Sequence, residues 1–196
     1  MISKLFDHFG TTLYVQIWQN RIKVTNESTG AVYDEVPKVK IVTGDKGETS
    51  IAAIGRQADS VVESHAVIVN PFSHPRSLLK DFMVAEKLLQ HAFQTLRGKK
   101  LIAPAPAVVI HPMEKTEGGL TEVERKAFRE LALGAGARAV VVHEGEELYP
   151  RSLNFEALLK KETADSGGQS KPRGALVSTL LMIVIIVAVY LVMLSG

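Results

Sequence analysis

The chain has 196 residues, 46% of them apolar, with no cysteine and a formal net charge of +2. The absence of cysteine excludes a disulfide framework and a thiolate metal site. A charge this near neutral leaves no electrostatic footprint for nucleic-acid binding.

In the first ten residues Ile2, Leu5, Phe6 and Phe9 recur at helical spacing. Two readings stand: a short amphipathic helix on a membrane surface, or a helix packed on its own domain. Residues Thr12 to Trp18 and Arg21 to Thr25 alternate apolar and polar. Leu13, Val15 and Ile17 share one face of the first run, and Ile22 and Val24 one face of the second. Gln19-Asn20 between them predicts a tight hairpin, since Asn tolerates positive φ. Further strands are expected at Ala31 to Val36, Lys38 to Thr43 and Thr49 to Ile54, with a turn at Asp45 to Gly47. This front part reads as a meander of antiparallel strands.

The period then changes. Pro71, Pro75 and Ser77 introduce a helix running to about Arg97, with Leu78, Leu79, Phe82, Ala85, Leu88, Leu89, Ala92, Phe93 and Leu96 as its apolar stripe. Asp81 and Glu86 fall on its polar side and read as solvated. Ala107 to Ile110 is a valine-rich buried strand. Thr121 opens a second helix that ends near Gly134, and Arg138 to His143 is a second buried strand. Strand, helix, strand in this order indicates a parallel βαβ unit. A short helix over Ser152 to Lys161 closes a domain at residues 1–160.

Residues 161–174 read as a flexible linker, because Thr163 to Gly174 is rich in Gly, Ser, Lys and Asp. Ala175 to Leu194 carries no charge and, at ~1.5 Å per residue, matches the ~30 Å core of a bilayer. It has no polar face of the kind a core helix shows. Only Ser195 and Gly196 follow it, so the arrangement expected is a tail anchor at 175–194. Lys160, Lys161, Lys171 and Arg173 precede the segment and nothing basic follows. The large domain is therefore expected on the cytoplasmic side of the membrane.

Catalytic motifs are scarce. His8, His65, His74, His91, His111 and His143 stand without metal-ligand spacing, and there is neither a G-x-S-x-G nor a Walker sequence. Gly118-Gly119 is a turn. Gly134-Ala135-Gly136-Ala137 is a helix stop before a strand.

Four segments together carry a resemblance: SIAAIG at Ser50 to Gly55, VAEKLLQHAF at Val84 to Phe93, PAPAVVIHP at Pro104 to Pro112, and TEVERKAFRELALGAGARAVVVHE at Thr121 to Glu144. In order and spacing they resemble the MreB family of bacterial actins over roughly residues 1–148. The resemblance implies an α/β fold, an actin-like (ribonuclease-H-like) half-domain with antiparallel front strands and a βαβ unit, here followed by a transmembrane helix. It also implies kinship with ATPases whose nucleotide lies between two similar halves, of which the matching region is the first. A cleft needs two walls, so the nucleotide site is expected to be incomplete within this chain.

The family's first hairpin carries an Asp-Leu-Gly-Thr turn that holds phosphate and the metal shell. This chain has Gln16, Trp18, Gln19 and Asn20 in that region, with Gln16 where the aspartate would stand and no glycine for close approach to a phosphate. Loss of the acid removes a magnesium-linked oxygen. The region is therefore expected to be a degenerate phosphate loop, with no cofactor and no metal. Glu124 matches the glutamate with which the family positions the attacking water. Thr121-x-x-Glu124 is also a capping box, the simpler reading.

These features lead to the expectation of a non-enzymatic, tail-anchored MreB-like protein. It would act as partner or regulator of cell-shape machinery at the bacterial inner membrane, with MreB or another actin-like filament as its protein partner. Two alternatives remain: a degenerate nucleotide-binding ATPase completed by another chain, and a structural component of another envelope complex.

Overall fold

A computed structural model of the chain describes residues 11–63, 65–98, 104–149 and 153–165. The expected N-terminal amphipathic segment, most of the linker and the membrane helix at 175–194 lie outside the described residues. Among the described residues no helix is long and apolar enough to cross a membrane. The chain divides into two compact units between Leu159 and Lys160.

The elements are β1 (Thr12–Ile17), β2 (Ile22–Asn26), β3 (Val32–Glu35), β4 (Val39–Thr43), β5 (Thr49–Ile54), α1 (Gln57–Ser60), β6 (Ala66–Val69), α2 (Phe82–Arg97), β7 (Ala107–Pro112), α3 (Glu122–Gly134), β8 (Ala139–Val142) and α4 (Phe155–Asp165). Helix α4 extends to Asp165, into the stretch that composition marks as linker.

Five strands form one sheet in the order β3-β2-β1-β7-β8. Strand β1 is its centre, antiparallel to β2 and parallel to β7. The expected βαβ unit is β7-α3-β8, with β7 and β8 parallel and Val108 opposite Val140. The front strands do not form one meander. They divide between this sheet and a second of three strands, ordered β5-β4-β6. The break falls at Val36-Pro37-Lys38, where proline has no N–H for a ladder and the Lys38 amide turns back to the Val36 carbonyl at 2.8 Å. Strand β6, absent from the sequence expectations, pairs antiparallel with β4 and makes β4 central. Gly55, just after β5, has φ +76°, and a Cβ there would meet the Glu35 carboxylate at 2.8 Å, so the glycine that ends SIAAIG is required by position.

The main core lies between the first face of the large sheet and helices α2 and α3. Leu13, Val15, Ile17, Ile22, Val24, Val108, Ile110, Val140 and Val142 meet Leu88, Leu89 and Phe93 of α2 and Phe128 and Leu131 of α3. This is the alternation the sequence displays, because one face of each strand takes every second residue. Helix α2 starts later than its apolar stripe suggests. Its N-cap is Asp81, whose carboxylate accepts the Val84 amide at 3.0 Å, so Asp81 is a cap and not a solvated helical position. The loop before it is tied instead by the amides of Lys80 and Asp81, both bonded to the Pro71 carbonyl. Glu86 accepts from Gln90 Nε2 at 3.0 Å within α2. Helix α3 ends as expected near Gly134. Gly136 with φ +105° allows the Ala137 amide to reach the Ala132 carbonyl at 3.0 Å and the Gly136 amide to reach the Leu133 carbonyl at 2.9 Å, a Schellman stop.

The second face of the large sheet presents Tyr14, Val109 and Val141. It is covered by Leu148, Leu153, Phe155, Leu158 and Leu159 from the chain that follows β8. Phe155, Leu158 and Leu159 recur at helical spacing and put one side of α4 on that face. Residues 12–159 thus bury both faces of their own sheet.

Phe128 is 2% exposed and joins α3 to the first face. Replacing it with alanine should lower unfolding free energy by about 3–5 kcal/mol, read from chemical denaturation. A loss within experimental error would mean that α3 is not part of the cooperative core.

Candidate functional site

The region matched to the family's phosphate hairpin is the β1–β2 turn together with the polar row beside it. Strand β1 is buried along nearly its whole length, so the even-numbered residues Tyr14 and Gln16 are carried onto the second face as the odd ones enter the core. Gln16 pairs in register with Lys23 on β2 and His111 on β7. Gln16 and His111 are each 1% exposed, and buried polar groups of this kind must find partners.

Those partners come from the segment after β8. Gln16 Nε2 donates to Glu147 Oε1 at 2.7 Å. His111 Nε2 lies 3.2 Å from the Gly145 carbonyl, which can only accept, so Nε2 carries the proton and Nδ1 is an acceptor. Tyr14 Oη lies 2.7 Å from that Nδ1 and donates to it. The same hydroxyl accepts the Leu148 amide at 3.1 Å. The His143 ring packs edge-on against His111 with centroids 4.6 Å apart, and its Nε2 donates to the Glu146 carbonyl at 3.0 Å. Burial, and then the neighbouring His143, pull His111 down to about 4, which keeps it neutral near pH 7. Burial pushes the Tyr14 phenol up to about 12.

The hairpin turn is also occupied by the chain itself. The Trp18 amide bonds the Arg21 carbonyl at 2.8 Å, closing the turn at Gln19-Asn20. Neither Gln19 nor Asn20 has positive φ. Among the described residues the non-glycine positions with positive φ are His65 and Lys115. The turn is held from outside instead. The Gln19 amide donates to Glu114 Oε2 at 2.7 Å, and Asn70 Nδ2 donates to the Gln19 carbonyl at 2.8 Å. Asn20 is exposed and Trp18 half-buried. The Arg21 guanidinium lies 5.3 Å from the Trp18 ring and is paired with both oxygens of Asp34. That pairing holds the Asp34 carboxyl below, and the Arg21 guanidinium above, their ordinary ranges.

Glu124 is engaged in its own helix start. Its carboxylate accepts the Thr121 amide at 3.0 Å and the Thr121 hydroxyl at 2.7 Å, and the Glu124 amide returns to Thr121 Oγ1 at 3.2 Å. This is the reciprocal capping box. Beside it Glu144 pairs with Arg125 and accepts the Leu120 amide at 2.8 Å, so the start of α3 is fixed to the chain that leaves β8. Among the described residues no group of three or more His, Cys, Asp or Glu side chains is placed to hold a metal ion.

Sequence reasoning located the hairpin, Gln16, Trp18 and Glu124. It missed Glu114, Glu147, Tyr14 and the two histidines that the fold joins, His111 and His143. Alternation could have flagged Gln16 and His111 as buried polar residues, but nothing local indicates a partner 131 positions away.

The family model described as MreB/Mbl protein matches residues 13–148. The chain belongs to the MreB/Mbl family. It is 30% identical over 149 residues to the cell shape-determining protein MreB of Haemophilus influenzae, covering 74% of this chain and 40% of that one. With the Escherichia coli K12 protein of the same name the identity is 29%, covering 74% and 41%. The chain thus spans about two fifths of the length of the curated MreB relatives it matches. A structure of MreB 5 of Spiroplasma citri bound to AMPPNP superposes with a TM-score of 0.54 at 22% identity, over 69% of this chain and 38% of that one. That likeness establishes the actin-like α/β half-domain fold with its mixed sheet.

The capping box yields a direct expectation. Thr121→Ala should lower stability by about 1 kcal/mol, and Glu124→Gln by less, because the amide oxygen can still accept the Thr121 amide. Urea denaturation of both variants measures this. A larger loss for Glu124→Gln than for Thr121→Ala would contradict the capping account.

Proposed function

We propose that this chain is a non-catalytic, membrane-anchored member of the MreB/Mbl family that binds an actin-like filament at the bacterial inner membrane. The observation that carries the non-catalytic part is the state of the β1–β2 turn. Two donors there, the Gln19 amide and the Gln16 side-chain amide, are bonded to the chain's own carboxylates, Glu114 and Glu147. An incoming phosphate would have to displace both and then face their negative charge. Gln16 also brings no carboxylate to a magnesium shell. The retained Glu124 is taken up by its cap.

A second reading has specific support. The Spiroplasma citri relatives of the same fold were captured with AMPPNP and with ADP, so a nucleotide site completed by another chain is its natural form. The two readings differ in one measurable property. The chain has a single tryptophan, Trp18, at the turn itself, so its emission reports directly on that site. With Mg-ATP added to millimolar concentration, Trp18 emission of the chain, alone and with MreB filaments present as the second chain, should show no saturable change. Micromolar binding would favour the second reading.

The anchor rests on the uncharged run Ala175 to Leu194 and on the basic residues Lys160, Lys161, Lys171 and Arg173 before it. The filament partner is inferred from the family, whose curated relatives are cell shape-determining proteins. Expressed in bacteria, the chain should fractionate with the inner membrane and resist a salt wash. Deletion of residues 175–196 should move it to the soluble fraction, where it still co-sediments with MreB filaments. Digestion of the large domain from outside intact spheroplasts would overturn the topology, and loss of co-sedimentation on deletion would overturn the partner.

A further inference from the structure

A cavity of about 380 Å³ lies where β3, β5 and α2 meet, and none of its lining residues belongs to the β1–β2 turn. That volume is at the lower end of the range of ligand pockets. Tyr33 and Glu35 of β3, Ile51 to Ile54 of β5 and His91 of α2 line it. The strand orders put β3 and β5 each at the end of its sheet. Successive strand residues point to opposite faces, so a cavity that touches four in a row runs along the edge of the strand. Strand β4 occupies one edge of β5, so the cavity borders the other, which is open. The ladder with β4 also steps over Ala52, since Lys40 pairs with Ala53 and Ile41 with Ile51, and an extra residue of this kind is left unpaired.

Tyr33 supplies a second observation. It is 8% exposed and packed edge-on against the His91 ring with centroids 6.0 Å apart, and its hydroxyl is buried with no hydrogen-bond partner among the described residues. A buried hydroxyl left unmatched costs free energy. Burial, and then Glu35, push this phenol up to about 12, so near pH 7 it is a neutral donor without an acceptor. Glu35 is already matched, because it accepts from the Arg56 guanidinium and from the Arg56 amide, each at 3.0 Å. The cavity therefore favours an uncharged occupant that brings a hydrogen-bond acceptor.

We propose that this cavity and the open edge of β5 bind an extended, uncharged peptide segment of a partner protein, which joins the three-stranded sheet as a fourth strand. A strand edge offers a row of main-chain donors and acceptors, and another extended chain is the ligand that uses them in series. The same peptide places an apolar side chain in the cavity beside Ile51 and Ile54, and a carbonyl oxygen before Tyr33. A small molecule would match the hydroxyl and leave the edge of β5 bare. The site uses neither the nucleotide turn nor the membrane anchor, so it stands or falls apart from the proposed function.

A phage-displayed library of random twelve-residue peptides, selected on the full chain in detergent micelles and counter-selected on empty micelles, tests this. Enriched peptides should be poor in charge and alternate apolar residues, and their binding should protect the β5 amides from hydrogen exchange while leaving β6 unchanged. Ala52→Arg sets a long charged side chain at an exposed position on the cavity wall and should abolish binding. Tyr33→Phe should weaken binding about three- to tenfold and leave the urea midpoint unchanged or higher, since the unmatched hydroxyl is gone. A library that yields no such peptide, the result expected of a small-molecule site, would overturn the proposal. So would protection that falls on β6 and spares β5, binding that survives Ala52→Arg or is unchanged in Tyr33→Phe, or a lower urea midpoint for Tyr33→Phe.

Discussion

The structure depends on the double burial of β1. This strand pairs on both edges and is covered on both faces, so its odd residues must be apolar and its even residues must find partners within the molecule. Leu13, Val15 and Ile17 meet the first requirement by packing under α2 and α3. Tyr14 and Gln16 meet the second only because the chain after β8 returns across the sheet with the Leu148 amide and the Glu147 carboxylate. Without that return, Tyr14, Gln16 and His111 would be left as polar groups at the sheet surface, and Val109 and Val141 would lie open.

This constraint also bears on nucleotide chemistry. A residue at position 16 that held a metal shell would have to point into an open, charged cleft. Here Gln16 is enclosed and neutral, and it is bonded to an acid from its own chain. The Gln19 amide, a backbone donor of the turn, is taken by Glu114 in the same way. Two independent segments, one after β7 and one after β8, thus supply carboxylates to the donors of a single hairpin. A phosphate entering the turn would meet the charge of both.

The elements legible in the sequence are those whose signal is local. Period-two alternation found β1 and β2, the apolar stripe found α2, and the T-x-x-E start with its glycine stop bounded α3. Most of the failures are long-range. Strand β6 has four residues, with Val67 and Ile68 well exposed on opposite faces, so no alternation of burial marks it. The division of the front strands into two sheets turns on Pro37, a signal present in the sequence but silent about where β4 goes next. Asp81 was read by helical periodicity as a solvated position, whereas the cap preference of aspartate outranks it. The candidate site was half legible. Gln16 and Trp18 could be placed by resemblance, but Glu114 and Glu147 meet the hairpin only through the fold.

With both faces of its main sheet covered, the domain leaves most of its exposed apolar side chains on other surfaces. Among the described residues, part of that apolar surface lies on the second sheet. Ile41 stands in register with Ile51 on β5 and Val67 on β6, so the three share one face, and Ile51 and Val67 are 42% and 62% exposed. Isolated exposed apolar residues are ordinary on protein surfaces, whereas a row across three adjacent strands is less so. The adjoining inner positions of the same face, Val39 and Ile54, continue into the main core. The row is therefore the outer end of a rigid surface and not the tip of a mobile loop. Packed side chains therefore join this row to the first face of the large sheet and to β1 within it.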